Sequence, residues 1–385
     1  MKTAVLGFGT VGRGVYDMLQ SAPTMESGPV LVRPGKVDAD FKVDNIDAIL
    51  SDDSVEAVAE VLGGLEPAFS YAAAALRAGK HVVTSNKALV AAHGLELAEI
   101  ARQSGKGFLF SAACGGGMPF LHNLSLAAAT DSVSSMGGIL NGTTNYMLDA
   151  MQRRNLDYAD ALSDAQRLGY AEADPTADVS GLDALRKIML ASAVGFGLLP
   201  TEGLLSEGIE SLTREDVADF KARRLTCRLL ARCGKAEDGG VYAYVEPVLL
   251  PPSAPECAVL DNFNMASYEG VSSGSMVFMG QGAGRYPTAS ALLRDLECIA
   301  LGQLEMLPAA CVEGAVDNSL CGHQYYVRLP EDMAEMLPTR ELSIEDGVAR
   351  IVTESISVIG MHRVAAALRA EGVEIFFAGL ESDEA

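Results

Sequence analysis

Gly7-Phe8-Gly9-Thr10-Val11-Gly12 stands between an apolar run, Thr3–Leu6, and a helical pattern, Gly12–Gln20. A G-x-G-x-x-G sequence in that setting constrains the fold more than any other feature. The first glycine permits a tight turn and the second lets backbone approach a pyrophosphate. The third lets the helix close onto the strand, so that the N–H groups of its first turn face the phosphates. Glycines also serve ordinary turns, and the motif gains weight from its strand-to-helix context. In a dinucleotide-binding unit the second strand ends, about 20 residues on, in an acid that binds the ribose 2′-hydroxyl. Here Val30-Leu31-Val32 runs instead into Arg33-Pro34-Gly35-Lys36. A guanidinium suits a 2′-phosphate, so Arg33 and Lys36 favour NADP; a solvated surface turn is the bland alternative. Asp38 and Asp40 are near enough to support a rival NAD reading.

The pattern continues in short units. Strand-like segments are expected within Val55–Leu62 and over His81–Thr84 and Gly107–Ser111; helices are expected at Pro67–Ala78, with Gly79 behind it, and Leu95–Gln103. Strands alternating with helices predict a parallel sheet covered on both faces. The middle of the chain reads differently. Ser135–Leu140 and Ser275–Gly280 look like strands of a second sheet, separated by helical stretches at Tyr146–Arg153, Tyr158–Leu168, Leu182–Phe196 and Val217–Cys233. Such segregation suggests an α+β domain, with a loop at Pro251-Pro252 and Pro255. Beyond about residue 311, His323–Leu329, Arg350–Thr353 and Val373–Phe377 are strand-like and Met361–Ala370 helix-like, a third small α+β unit.

With 385 residues, two or three domains are expected, and 49% hydrophobic with 21% charged residues is a globular composition. A net charge of −22 argues against nucleic acid or an anionic membrane as partner. No stretch approaches the roughly 18 apolar residues of a membrane span. The first strand leaves no room for a leader peptide before it, so a cytoplasmic protein is expected. The seven cysteines, Cys114, Cys227, Cys233, Cys257, Cys298, Cys311 and Cys321, include no Cys-x-x-Cys pair, and free thiols are the plain reading. His81, His93, His122, His323 and His362 lack metal-like spacing and read as surface or packing residues. No metal site is expected.

Other motifs are more particular. Gly138-Ile139-Leu140-Asn141-Gly142-Thr143-Thr144-Asn145-Tyr146 and the run Gly169 to Asp183 (GYAEADPTADVSGLD) resemble signatures of homoserine dehydrogenases. So do Ser85-Asn86-Lys87 after a strand, and Gly282-Ala283-Gly284 leading into Pro287-Thr288-Ala289. The order and spacing of these motifs match over about residues 1–305. The resemblance implies NAD(P)-dependent interconversion of L-homoserine and L-aspartate 4-semialdehyde, in threonine, methionine and isoleucine biosynthesis. It implies a Rossmann domain (1–125, with a return at about 285–310), a substrate-binding and dimerising domain (126–284) and a degenerate ACT-like tail (311–385). It also implies a homodimer or dimer of dimers. By this likeness Phe8, Thr10, Val11, Arg33, Ser85, Lys87 and Gly284 line the cofactor, and Gly169, Glu172, Asp178, Asp183 and Lys187 line the substrate.

The chemistry is consistent with those residues. Homoserine carries an ammonium, and the acidic loop of Glu172, Asp174 and Asp178 offers carboxylates for it; Asp174, before Pro175, reads better as a loop acid. Oxidising the alcohol requires a proton to leave, and a lysine whose pKa falls on desolvation can take it. Asp183 and Lys187 are four apart and share a helix face. Lys187 is therefore the first acid/base candidate, oriented by Asp183, and Lys87 the second. The bland alternatives are an Asp-type capping box at Ser180–Asp183 and a solvated Asp183–Lys187 pair contributing about 0.2–0.5 kcal/mol.

Three departures from the family pattern stand out. The stretch between the first helix and the second strand is short, trimming the adenine side. Ser111 replaces a glutamate that, with carbonyls such as those of Cys114, Gly116 and Met118, would hold a monovalent cation, so an occupied site is not expected. The tail lacks an Asp-x-Pro-Gly turn, Pro330-Glu331-Asp332 standing near its place, and threonine control through the tail is left open. Two competing readings are an acylating semialdehyde dehydrogenase, which needs an activated Cys114 beside a histidine, and a silent dinucleotide sensor, which needs no Glu172, Asp183 and Lys187 constellation.

Overall fold

The computed structural model describes residues 1–381; the last residues of the expected tail unit, 382–385, lie outside them. The first layer is a six-stranded parallel sheet. Its strands are β1 (Lys2–Leu6), β2 (Glu26–Leu31), β3 (Lys42–Val43), β4 (Ala57–Glu60), β5 (His81–Thr84) and β6 (Phe108–Leu109), in the spatial order β3-β2-β1-β4-β5-β6. The helices α1 (Thr10–Leu19), α2 (Asp47–Leu50), α3 (Ala68–Arg77) and α4 (Lys87–Ser104) connect them. Because helices cover both faces, β4 is buried at every position and shows no polar alternation. Strand order reverses between β1 and β4, opening a crevice at their C-terminal ends. Gly7 follows β1 at that crevice, donating its N–H to Leu31 O of β2 (3.0 Å).

Two local expectations need correction. The helix read from Leu95 begins at Lys87, because Asn86 caps it by accepting the Leu89 N–H. The strand read over Gly107–Ser111 is only Phe108–Leu109. Ser111 leaves the ladder because its N–H and hydroxyl both donate to the Asp295 carboxyl.

The chain then builds a second domain around a larger sheet. Its elements are α5 (Phe120–Thr130), β7 (Val133–Ile139), α6 (Gly142–Arg154), α7 (Tyr158–Arg167), α8 (Thr176–Val179), α9 (Leu182–Phe196), β8 (Leu198–Glu202), β9 (Leu205–Ser206), α10 (Arg214–Ala222), β10 (Thr226–Lys235), β11 (Val241–Leu250), β12 (Phe263–Gly270) and β13 (Gly274–Gln281). Strand β8 does not belong to the larger sheet, since it pairs with the later strand at Val312–Ala315. The expected helix over Val217–Cys233 is overturned: α10 stops at Ala222, Arg224 turns the chain at φ 59°, and Thr226–Lys235 is a strand paired with both β11 and β7. A central strand buried on both faces, as Cys227–Ala231 is, shows no polar alternation, and periodicity alone cannot tell it from a buried helix.

After β13 the chain returns to the first sheet as α11 (Arg285–Ala300). This helix lies against α1 so closely that a Cβ on Gly14 would stand 2.7 Å from Arg285 O. The remainder is β14 (Val312–Ala315), β15 (Gly322–Pro330), β16 (Thr339–Glu345), β17 (Val348–Thr353), β18 (Ile356–Ser357), α12 (Val358–Ala370) and β19 (Phe376–Leu380). The antiparallel order β19-β15-β17-β16 is that of a ferredoxin-like split βαβ unit, its first helix reduced to a 3₁₀ turn at Glu331–Met336. Tyr325, Val327, Ile351, Met361 and Phe377 form a core of its own. It is nonetheless continuous with the middle sheet, since β19 pairs in parallel with β11. The last strand lies later than the expected Val373–Phe377, because Gly372 (φ 80°) and the Val373 N–H to Leu368 O bond spend residues on closing α12. Among the described residues no helix is long and apolar enough to cross a membrane.

Candidate active site

The glycine loop has the geometry of an anion cradle. Gly7 sits at φ 106°, a value that favours glycine, and a Cβ at Gly12 would lie 2.1 Å from Gly7 O. Gly9 caps α1, whose first turn carries no acid, so its free N–H groups suit a pyrophosphate. Thr10 opens that helix, and Val11 faces the cleft described below. The residues thus fit a dinucleotide. The loop also gathers cations that sequence reading missed. The Arg13 guanidinium stands 5.4 Å and Lys42 Nζ 4.8 Å from the Phe8 ring centre. Arg13, one residue past the motif, was there to be noticed; Lys42 arrives only because β3 lies beside β2.

Arg33 and Lys36 bound a turn closed by the Lys36 N–H to Arg33 O bond (3.1 Å), and both are exposed at the end of β2. Asp38 is paired with Lys42, whose hydrogen bond holds its carboxyl below the ordinary range. That engagement weakens Asp38 as a ribose ligand.

Between β4 and β5 a buried network sets the Ser85-Asn86-Lys87 turn. Glu60 accepts the Leu62 N–H (2.7 Å) and the Thr84 hydroxyl (2.5 Å), Thr84 Oγ1 accepts the Asn86 N–H (2.9 Å), and Asn86 Nδ2 donates to Gly64 O (2.7 Å). Burial raises the Glu60 pKa. Nothing in the local sequence marks Glu60, which acquires its partners only when the strands assemble.

The centre of the site is Asp183. Lys187 Nζ lies 2.7 Å from its Oδ2, Lys87 Nζ 3.0 Å from its Oδ1, and Asn141 Nδ2 2.9 Å from Oδ2. Lys187 also donates to Leu140 O (2.6 Å), and Asn141 Nδ2 to Asp178 Oδ1 (2.7 Å). The solvated-pair alternative fails, since Asp183 and Lys187 are each 8% exposed. The capping-box alternative fails too: Gly181 caps α9 at φ 80°, and the Ser180 hydroxyl donates back to Thr176 O. Asn141, unremarked in the sequence except as part of a motif, is the residue that holds both carboxylates.

The expected electrostatics of Lys187 are corrected. Burial does push its pKa down, but the adjacent Asp183 charge outweighs it and the net shift is upward. Burial likewise opposes ionisation of Asp183, and Lys187 with Lys87 overcomes it, holding the carboxyl well below the ordinary range. Desolvation raises Asp178. The ground state is therefore an ammonium–carboxylate–ammonium triad: Lys187 is a proton donor as it stands and becomes a base only when it releases that proton.

These groups open on one cleft of about 680 Å³. Val11, Ser85, Lys87 and Gly284 line it from the glycine-loop side, and Gly169, Glu172, Asp178, Asp183 and Lys187 from the other. Gly7, Phe8, Gly9, Thr10, Gly12, Arg33 and Lys36 lie outside that lining. Asp174 reaches the rim but accepts the Thr176 N–H and hydroxyl (3.1 and 2.6 Å), which commits it to its own loop. Sequence reading missed Arg186 and Asn264, which share the lining. Asn264 is 1% exposed, and neither of its amide atoms has a hydrogen-bond partner. Burial pushes the Cys114 thiol to about 12, which removes it as a nucleophile.

The turn after β6 does not fit the monovalent cation implied by the family likeness. Ser111 is fully buried, and its hydroxyl and N–H are both spent on Asp295. Asp295 is the carboxyl bound at this position, but burial lifts its pKa to about 7. Arg294 Nη2 takes the Gly117 carbonyl (2.9 Å). Neither Ser111 nor Asp295 provides the free carboxylate that such a site would need.

A crevice at the strand-order reversal, a glycine cradle beside it and a lysine–carboxylate triad in the adjoining cleft are the parts of a nicotinamide-dependent oxidoreductase acting on a CH–OH group. Comparison with known proteins narrows this. The homoserine dehydrogenase family model matches residues 119–296, and the model of the homoserine dehydrogenase NAD-binding domain matches residues 7–111. The chain is 39% identical over 312 residues to a homoserine dehydrogenase of Corynebacterium glutamicum, covering 76% of this chain and 70% of that one. Against a Synechocystis homoserine dehydrogenase it is 37% identical over 347 residues, covering 86% and 79%. The crystal structure of a homoserine dehydrogenase from Thiobacillus denitrificans superposes with a TM-score of 0.87 at 29% identity, covering 99% of this chain and 98% of that one. The chain belongs to the homoserine dehydrogenase family.

Proposed function

We propose that the cleft interconverts L-homoserine and L-aspartate 4-semialdehyde, with Lys187 as the acid/base. The observation that carries this is the Asp183 carboxylate held between Lys187 and Lys87 on the cleft wall. In the reducing direction both ammonium groups donate to the aldehyde oxygen. As the C4–H bond forms, the oxygen gains negative charge and Lys187 transfers its proton to it, yielding the hydroxyl. In the oxidising direction neutral Lys187 takes the hydroxyl proton while hydride leaves C4. A bound nicotinamide supplies or accepts that hydride. Asp183 orients Lys187 in both directions, and Asn141 keeps Asp183 and Asp178 in register. Glu172 and Asp178 suit the substrate ammonium, and the exposed Arg186 on the same wall suits its carboxylate.

Residues 1–125 with 285–310 would hold the cofactor and 126–284 the substrate. Arg33 and Lys36, exposed at the end of β2, support a preference for NADP over NAD. The edge strand β13 exposes Met276, Val277 and Met279; such an edge calls for cover, which supports a homodimer or dimer of dimers. On this reading the enzyme works in the cytoplasm, in the synthesis of threonine, methionine and isoleucine.

The test is homoserine-dependent reduction of NADP and NAD by the purified protein, alongside Lys187→Ala. Turnover that Lys187→Ala abolishes, with cofactor binding retained, supports the assignment. An active Lys187→Ala would transfer the role to Lys87, and an unmodified chain without turnover would refute the proposal.

A further inference from the structure

Two arginines of the C-terminal unit grip one stretch, 207–216, that carries none of the reacting groups. Arg369 on α12 forks onto Glu207, Nη1 to Oε2 at 2.9 Å and Nη2 to Oε1 at 2.5 Å. Arg328 on β15 donates to Ser211 O (2.8 Å) and to the Asp216 carboxylate (3.1 Å). Asp216 in turn closes a capping box with Thr213 at the start of α10. Glu207 is 8% exposed and Asp216 fully buried, while the Arg369 side chain is 40% exposed; a poorly solvated carboxylate that loses its guanidinium is left with an uncompensated charge.

The same stretch backs directly onto the substrate site. Ser206 Oγ donates to Ser180 O (2.7 Å), and the Ile209 N–H to Val179 O (2.9 Å). A Cβ on Gly208 would stand 2.2 Å from Val179 O, and one on Gly181 would stand 2.6 Å from Ser206 Oγ. At Gly208 the contact has no slack, because backbone meets backbone there; at Gly181 the Ser206 and Val245 side chains close it. What it supports, Val179 to Gly181, is the turn between Asp178 and Asp183.

We infer that the C-terminal unit is part of the scaffold of the substrate site, and that Arg369, acting through Glu207, is a positioning residue for Asp178 and Asp183. The inference rests on the proposed function for what those two carboxylates serve. Without Arg369, Glu207 loses its counter-charge and turns toward water, drawing 206–209 away from Val179 and Ser180. The carboxylates then lose their spacing, while the glycine loop on the first sheet is untouched.

The experiment compares Arg369→Ala, Arg369→Lys and the double variant Arg369→Ala/Glu207→Ala with the unmodified full chain. Two readouts are taken: the KM values for homoserine and cofactor, and amide hydrogen exchange by peptide. Arg369→Ala should raise the homoserine KM roughly 3- to 30-fold, the range of such indirect coupling, with the cofactor KM within about twofold. Amides across 178–185 should exchange faster while those of β1 and α1 do not change. Arg369→Lys should recover part of both effects. The double variant should be no worse than Arg369→Ala, because the stranded charge is gone. Unchanged KM and unchanged exchange at 178–185 would overturn the inference. So would parallel loss of both KM values with protection falling throughout, which marks a merely structural role. If the unmodified chain fails to turn over homoserine, the proposed function falls, and exchange at 178–185 still decides this one.

Discussion

Asp295→Asn tests how the fold carries a buried acid beside the cleft. Asp295 is fully buried, and Ser111 donates to both of its oxygens, N–H to Oδ2 at 2.8 Å and hydroxyl to Oδ1. Burial lifts its pKa to about 7 from an ordinary 3.8, against the opposing effect of the Ser111 hydrogen bonds. The folded protein therefore binds this proton more tightly than the unfolded chain does. Its contribution to stability is complete below about pH 4, declines as pH rises, and is lost above about pH 7. At about 1.36 kcal/mol for each pH unit between the two values, the swing is about 4 kcal/mol. Asparagine copies the protonated acid: its carbonyl accepts the Ser111 N–H and its NH₂ donates to the hydroxyl oxygen. Thermal unfolding of both proteins should give similar midpoints near pH 4. Near pH 8.5 the variant should melt several degrees higher, the gap opening through the pH interval of the titration. A difference that is the same at both pH values would refute the reasoning, because Asp295 would then bind its proton equally in the folded and unfolded states.

Three further outcomes follow from the site. Lys187 is held protonated by Asp183 despite burial, so homoserine oxidation should accelerate with pH from about 7 toward 10 while semialdehyde reduction does not; an oxidation rate flat across that range would remove Lys187 as the base. Arg33→Ala should weaken NADP roughly 10- to 100-fold, the loss of one or two charge-assisted hydrogen bonds, and leave NAD within about twofold; equal losses in direct binding measurements would sink the phosphate clamp. Because Ser111 and Asp295 satisfy each other, turnover should be the same in sodium, potassium and choline salts, and a several-fold response to sodium or potassium alone would show that the turn after β6 does take a cation.

The sequence by itself determined whatever depends on neighbours along the chain. The glycine loop could be read because its three glycines act within a single strand-to-helix turn, and Gly12 is needed where it is by Gly7 O. Asp183 and Lys187 could be paired in advance because four residues make one helical turn. The alternation of strands and helices through the first sheet was legible for the same reason. What only the tertiary structure decided is everything set by elements distant in sequence. It converted Val217–Cys233 from an expected helix into α10 and β10, since burial on both faces erases the periodic signal. It brought Lys87 across to Asp183, and it packed Lys187 so closely against that carboxylate that the charge raises the lysine's pKa where desolvation alone would lower it. It also made working parts of Asn141, Glu60 and Arg369, whose partners are contributed by segments distant in sequence. Charge interactions and hydrogen bonds depend on distance in space, and between elements far apart in sequence no spacing along the chain encodes that distance.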